Sequence, residues 1–327
     1  GGWMPAGLGW MTALLIVGAT EIRMEGVHAL ALIVSVLVFA LCGTAPGLFV
    51  KERFRAPTPG ADPVRLAEGF RAVLSDRNFL VLMVIVTLNT MSGVVGSSLD
   101  QFILVYFMHD ASPTAGLLQK AVLGTGYTAV GFIAIIPLTI AARRLGKRGA
   151  MQLVYAMMTL GALLKWFVFR PGNPTPVVLG LPVDLVMLID PLLCGPLWVS
   201  VKVIIPSMMA DICDEDERRH GQRREAVIAA ALSSFEKLIM AAGVLSAGTA
   251  LSLSGFDADL GAAQGPGTFT RMRLFFVAIP AATAALAWLA LRFYTIDADR
   301  AAQTRRHLEA RRTHAKTPAG QPDQPNP

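Results

Sequence analysis

MMADICDEDERRHGQRREAV, residues 208–227, sets four consecutive acids, Asp214, Glu215, Asp216 and Glu217, ahead of four arginines, Arg218, Arg219, Arg223 and Arg224. Long and nearly uncharged apolar runs lie on both sides of it. Charges this dense between stretches this apolar mark a place where a chain leaves a nonpolar phase, turns in water and re-enters.

The rest of the chain supports that reading. Hydrophobic residues make up 54% of the 327 and charged residues 16%, against roughly 25% charged in soluble domains. The mean hydropathy is +0.53. The net charge of +6 would suit a nucleic-acid partner if the cations formed a stripe on a soluble domain. They sit between apolar runs instead, so membrane orientation explains them and no nucleic acid is expected. Cys42, Cys194 and Cys213 are odd in number, widely spaced and without a CxxC, which implies neither a disulfide framework nor a metal site. The opening GGWMPAGLGW has no initiator methionine, basic segment or cleavage pattern, so no signal peptide is read there.

A bilayer core of about 30 Å needs about 20 helical residues. Eight runs near that length occur, at roughly 3–20, 29–50, 79–108, 121–142, 150–169, 185–209, 226–254 and 274–291. The predicted fold class is an all-α polytopic membrane protein. The cations then set its orientation. Residues 51–78 carry six Lys or Arg, 143–149 four, the opening stretch four and the tail from Arg292 seven, together 21 of the 29. These segments are every second connection plus the C-terminus, which places all of them on the cytoplasmic side. The expected location is the inner (cytoplasmic) membrane, with several crossings and a cytoplasmic C-terminus.

Leu66, Phe70, Val73 and Leu74 recur within 64–76 as one helical face. This is either an amphipathic helix on the membrane surface or a short helix packed on the bundle. The division expected is two helices over 1–50, a linker over 51–78, six helices over 79–294 and a tail over 295–327. The tail can begin helical and then becomes rich in Pro and Gln, where disorder is expected.

Six helices, a long cytoplasmic linker and six more is the plan of the major facilitator superfamily. The eight spans resemble its helices five to twelve, with the first four expected upstream. ARRLGKRGA (142–150) is similar to the superfamily's short basic loop, with Arg143 where an acid is usual. The opening stretch is more specific. ADICDEDERRHGQRREA resembles the signature A-D-[VI]-x-D-Y-x-E-x-x-T-G-x-R-R-E-G of the glycoside-pentoside-hexuronide:cation symporter family. Ala210, Asp211, Ile212, Asp214, Glu217, Gly221, Arg223, Arg224 and Glu225 fall in register, and a lysine follows at Lys237. Glu215, His220 and Ala226 depart from the tyrosine, threonine and glycine of the pattern.

The resemblance implies a cation-coupled transporter working by alternating access. Its coupling ion, Na⁺ or H⁺, is bound by acids on helices two and four, outside this chain, so no bound cofactor is expected here. Asp211, Asp214 and Glu217, closing one helix, and Arg223 and Arg224, opening the next, are candidate ion pairs of a cytoplasmic gate. Exposed pairs contribute only about 0–1 kcal/mol each, so a network suits a gate better than one bond. The alternative is a solvated loop that only sets topology.

Depth selects the candidate substrate contacts. Lys237 lies twelve residues past Glu225 and Lys202 nine before Asp211, about 18 and 13 Å along their helices. An ammonium there costs at least about 2.5–3.5 kcal/mol unless it meets a cavity or a partner. Both are read as cavity-facing, with an ion pair involving Glu236 as the alternative for Lys237. By resemblance, Lys202 stands where family members carry an aromatic sugar contact, and two cations would favour an anionic glycoside. Trp198 is a stacking platform or a packing residue. Asn89 hydrogen-bonds a substrate or a neighbouring helix. Asp100 reads as an outer-gate contact or a rim in water. Lys165 and Asp184, at span ends, are assigned to snorkelling or water exposure.

An enzyme is disfavoured, because neither HExxH nor GxSxG occurs and the five histidines lie in or near loops. A lipid or lysolipid carrier of the same fold, or a receptor or scaffold that transports nothing, stays open. The partners expected are a small molecule and the bilayer, around a monomer.

Overall fold

The computed structural model describes residues 74–178, 181–182, 184–221 and 224–316, with positions 17–18, 21–22, 32, 35–36, 44 and 48. The first two expected spans and the linker therefore lie almost wholly outside the described residues, as does Arg223. One boundary differs from expectation. Val17–Gly18 (β1) pairs antiparallel with Glu21–Ile22 (β2), so the first run is not helical to residue 20. Val17 and Ile22 are β-branched, which lowers helix propensity and favours extended backbone. A second two-residue pair joins Val177–Val178 (β3) to Leu181–Pro182 (β4).

All other regular structure among the described residues is helical. The α1 helix, Arg77–Phe102, starts at Asp76, whose carboxylate accepts from the Phe79 amide at 3.0 Å. Asp100 does not interrupt it. The helix runs on into a π-helical segment, Ile103–Met108. The tight turn that follows holds Asp110 and Ala111 at φ 46° and 61°. The α2 helix, Pro113–Val168, opens with Ser112 as its cap and Pro in its first turn, where the missing N–H costs nothing. The α3 helix, Ile189–His220, extends the 3-10 turn Val186–Leu188. After it come α4, Glu225–Ser254, and α5, Thr268–Ala290, which ends in the 3-10 turn Leu291–Phe293. The α6 helix is Ala298–Lys316, so the tail begins as an ordered helix.

The 56 residues of α2 would measure about 84 Å if straight, far more than a bilayer. Gly146 breaks the helix, with φ 73° and ψ 167°. The arms fold back on each other. Tyr127 Oη and Lys165 Nζ, about 57 Å apart on a straight helix, lie 2.6 and 3.4 Å from the same atom, Asp190 Oδ2. The basic loop expected over 143–149 is thus two helix ends meeting at one glycine, because only a residue without Cβ adopts that φ cheaply. The described residues therefore hold six membrane-length crossings, 77–108, 113–145, 147–168, 186–220, 225–254 and 268–293.

The α2 arms pack on α3 and α5, while α1 packs on α4 and α5. One core gathers Phe79, Met151, Tyr155 and Met208; the other gathers Leu99, Phe169, Met187 and Phe276. In a membrane, close van der Waals contact replaces the hydrophobic drive. Gly116 shows how close: a Cβ there would lie 2.6 Å from Val105 Cγ2 and 2.8 Å from its Cα. Outward-facing Ile133, Ile136 and Leu245 are more than two-thirds exposed, as a lipid-facing surface requires.

One end of the bundle collects the cations. Lys147, beside the Gly146 turn, meets Asp211 near the end of α3. Arg219 meets Asp76 at the start of α1, and Asn78 accepts from the Thr295 amide at 2.8 Å after α5. These contacts bring the α2 turn, both ends of the 211–225 connection, the start of α1 and the end of α5 to one level, called here the basic end.

Candidate functional site

The α4 helix divides its surface. Ile228, Ile239, Gly243, Ala247 and Ala250 form the buried face. Its exposed surface has two parts. Leu238, Leu245 and Leu253 make one apolar arc, whereas Ala226, Ala230, Ser233, Lys237 and Ala241 recur every three or four residues on a second, which continues into the exposed Val244 and is bordered by the exposed Met240. Lys237 is exposed on that second arc. It is thus directed away from the buried seam, with Ser233 and Ala241 one turn away and the exposed Met240 and Val244 on the same side.

On α3, Trp198 and Lys202 are exposed one turn apart on one face, an indole and a cation side by side. Asn89 is half-buried and borders, with Ser92, Tyr155 and Thr283, a gap too narrow for a sugar. Ser92 Oγ and Tyr155 Oη are buried there without partners. Asp100 is half-buried and lies 3.7 Å from Lys120. Within the described residues it is matched by a protein cation.

The structure corrects the reading of Lys165 and Asp184, neither of which is water-exposed. Lys165 is 7% exposed and pairs with Asp190, itself 3% exposed, at 3.4 Å. Its ammonium also lies 4.6 Å from the Phe276 ring centre. Asp184 is buried, accepts from Asn173 at 2.8 Å and caps the turn before α3 through the Val186 and Met187 amides. Span-end position alone missed this, because folding back the α2 arms surrounds both groups with protein. Asp190 and Tyr127 carry the same cluster and were passed over. The signal for Asp190 was an acid inside an apolar run.

At the basic end, Asp211 is buried and paired with Lys147, whose ammonium also donates to the Ser207 carbonyl at 3.0 Å. Arg224 pairs with Asp216 through two hydrogen bonds, and His220 lies 3.0 Å from the same carboxylate. Asp214 and Glu217 are half-buried, and Glu217 lends its carbonyl to the Gly221 amide that ends α3. The hub is Glu215, one of the departures from the family pattern. It is 2% exposed and accepts from Arg218, Arg219, Arg300 and Thr304 at 2.7 to 3.2 Å. The last two belong to α6, so a partner in the tail accounts for an acid where the motif has a tyrosine. Among the described residues no group of three or more His, Cys, Asp or Glu is placed to hold a metal ion.

A bundle of membrane-length helices with small-residue seams, one basic end and an exposed lysine at mid-depth defines a polytopic membrane protein of the major facilitator fold. The family described as MFS/sugar transport protein matches residues 1–298, and the chain belongs to it. It is 27% identical over 201 residues to the isoprimeverose transporter of Lactiplantibacillus pentosus, covering 62% of this chain. It is 24% identical over 224 residues to an uncharacterized symporter of a Synechocystis strain, covering 68% of this chain. The chain spans 38% of the length of either relative.

Proposed function

We propose that the chain works in a secondary active transporter, a cation-coupled symporter that carries a glycoside, sugar or sugar acid by alternating access. The described crossings would be the superfamily's helices seven to twelve, with the basic end in the cytoplasm and the protein in the inner membrane. The coupling ion would be Na⁺ or H⁺, bound outside the described helices.

The observation that carries this reading is Lys237, exposed midway along α4 and away from its buried face. A charge at that depth faces a polar cavity at far lower cost than it faces lipid. Trp198 and Lys202 add a stacking surface and a second cation, which together suit an acidic glycoside. Asn89 and Asp100 are weaker contacts, since the first borders a narrow gap and the second has Lys120. The family and the relatives' descriptions as an isoprimeverose transporter and a symporter support the sugar and the coupling.

The test is uptake of labelled neutral glycosides and uronides into vesicles holding the intact transporter, under an imposed Na⁺ or H⁺ gradient. Gradient-driven uptake that prefers the uronide and is abolished by Lys237→Ala, at unchanged membrane insertion, is expected. Full uptake by the variant removes Lys237 from the site, and uptake indifferent to either gradient removes the symport.

A further inference from the structure

We propose that the corner where α1 begins and α5 ends is a binding site for an anionic phospholipid. Arg77 and Arg292 would hold its phosphate, and the exposed apolar stripes below them would carry its acyl chains. The proposal rests on the membrane-spanning fold and is independent of any cargo.

Both guanidiniums already lie over an aromatic ring. Arg77 lies over the Phe293 ring, 5.9 Å from its centre, and Arg292 lies 4.5 Å from the centre of the Trp288 ring. Arg292 directly precedes Phe293 in sequence, so the two cations flank one short turn at the end of α5. A ring contact uses none of the guanidinium's N–H donors, which stay available in the fork that matches a phosphate. Neither arginine has an ion-pair partner among the described residues. The adjacent Asp76 is already taken by the Phe79 amide and by Arg219.

What lies beneath fits the rest of a lipid. Along α1, Arg77 is followed on the same face by Leu80 and Val84, and along α5 the residues before Arg292 include Leu286 and Leu289 on the face of Phe293. All five of these apolar side chains are exposed, Phe293 at 56%. The two helices pack on each other. The stripes therefore descend side by side from the arginines into the membrane. A pair of cations capping apolar surface at a helix end is how basic sites recognise lipid headgroups. A soluble anion would gain nothing from the leucines.

The experiment uses the intact transporter purified in a neutral detergent. Thermal unfolding is followed with added phosphatidylglycerol, phosphatidylcholine or inorganic phosphate, and bound lipid is counted by native mass spectrometry. Phosphatidylglycerol should raise the midpoint by several degrees and remain bound, with phosphatidylcholine and phosphate having little effect. Arg77→Gln with Arg292→Gln should remove that selectivity, while Arg305→Gln with Arg306→Gln on α6 should retain it. Equal effects of both lipids, stabilisation by phosphate alone, or selectivity that survives the first double substitution would overturn the site. Should that variant fail to fold, the mass-spectrometric preference of the unaltered protein decides alone: no preference for phosphatidylglycerol refutes the proposal.

Discussion

Lys165 Nζ and Asp190 Oδ2 stand 3.4 Å apart, with each side chain less than one-tenth exposed. The lysine comes from the second arm of α2, and the aspartate opens α3. Tyr127, from the first arm, donates to the same oxygen at 2.6 Å. One carboxylate thereby ties three membrane crossings together.

Removing one partner leaves the other charge buried and uncompensated. Lys165→Ala or Asp190→Ala alone should destabilise the protein by about 3–5 kcal/mol, and Lys165→Met with Asp190→Leu should restore much of the loss. Thermal unfolding of the unaltered protein, Lys165→Met, Asp190→Leu and the two together forms a double-mutant cycle. Additive losses would mean that the two charges do not interact.

Two glycines one helix apart should respond oppositely to alanine. Gly116 has the Val105 backbone where a Cβ would go, whereas Gly93 has open space within 4 Å. Gly116→Ala should cost about 1–3 kcal/mol by overpacking, and Gly93→Ala should be neutral or gain about 0.5–1 kcal/mol from helix propensity. Detergent-solubilised melting temperatures separate the two.

His109 lies in the turn after the first crossing, and its Nε2 is buried without a partner. Burial holds its pKa below the ordinary value of 6.5, against the opposing pull of Asp184 and Asp110. The unfolded chain therefore takes up the proton first. The stability tied to neutral His109 is fully present above about pH 6.5 and is lost as the pH falls through the lowered value. Melting temperature should drop between pH 7 and 5, with a shallower drop in His109→Gln. Parallel curves would show that other groups carry the acid limb.

The basic end gives a prediction about the proposed gate. Asp211→Asn with Asp214→Asn releases Lys147 and thins the network. Losing the Lys147–Asp211 pair, whose carboxylate is buried, together with the charge of Asp214 would shift a two-state ratio by roughly tenfold or more. A cysteine placed at Ser207, with Cys42, Cys194 and Cys213 replaced, should then be alkylated faster. An unchanged rate in a folded, inserted protein would leave these charges as topology determinants.

The sequence by itself determined what local physics controls. Apolar run length located the six crossings between 77 and 293, because a bilayer sets a minimum length for every helix, but it fell short at 113, 220 and 268, where the helices run on past the apolar stretch. The register of the acids and arginines at 211–225, with a lysine twelve residues on, identified the family. Tertiary structure decided everything that depends on which helix meets which. Lys165, Asp184, Asp190 and Tyr127 lie up to 63 residues apart, and no spacing rule joins them before Gly146 folds the α2 arms back. Glu215 looked like a departure from a motif until α6 brought Arg300 and Thr304 to it. Charges find partners across helices, and that choice is made by packing, which a linear pattern does not encode.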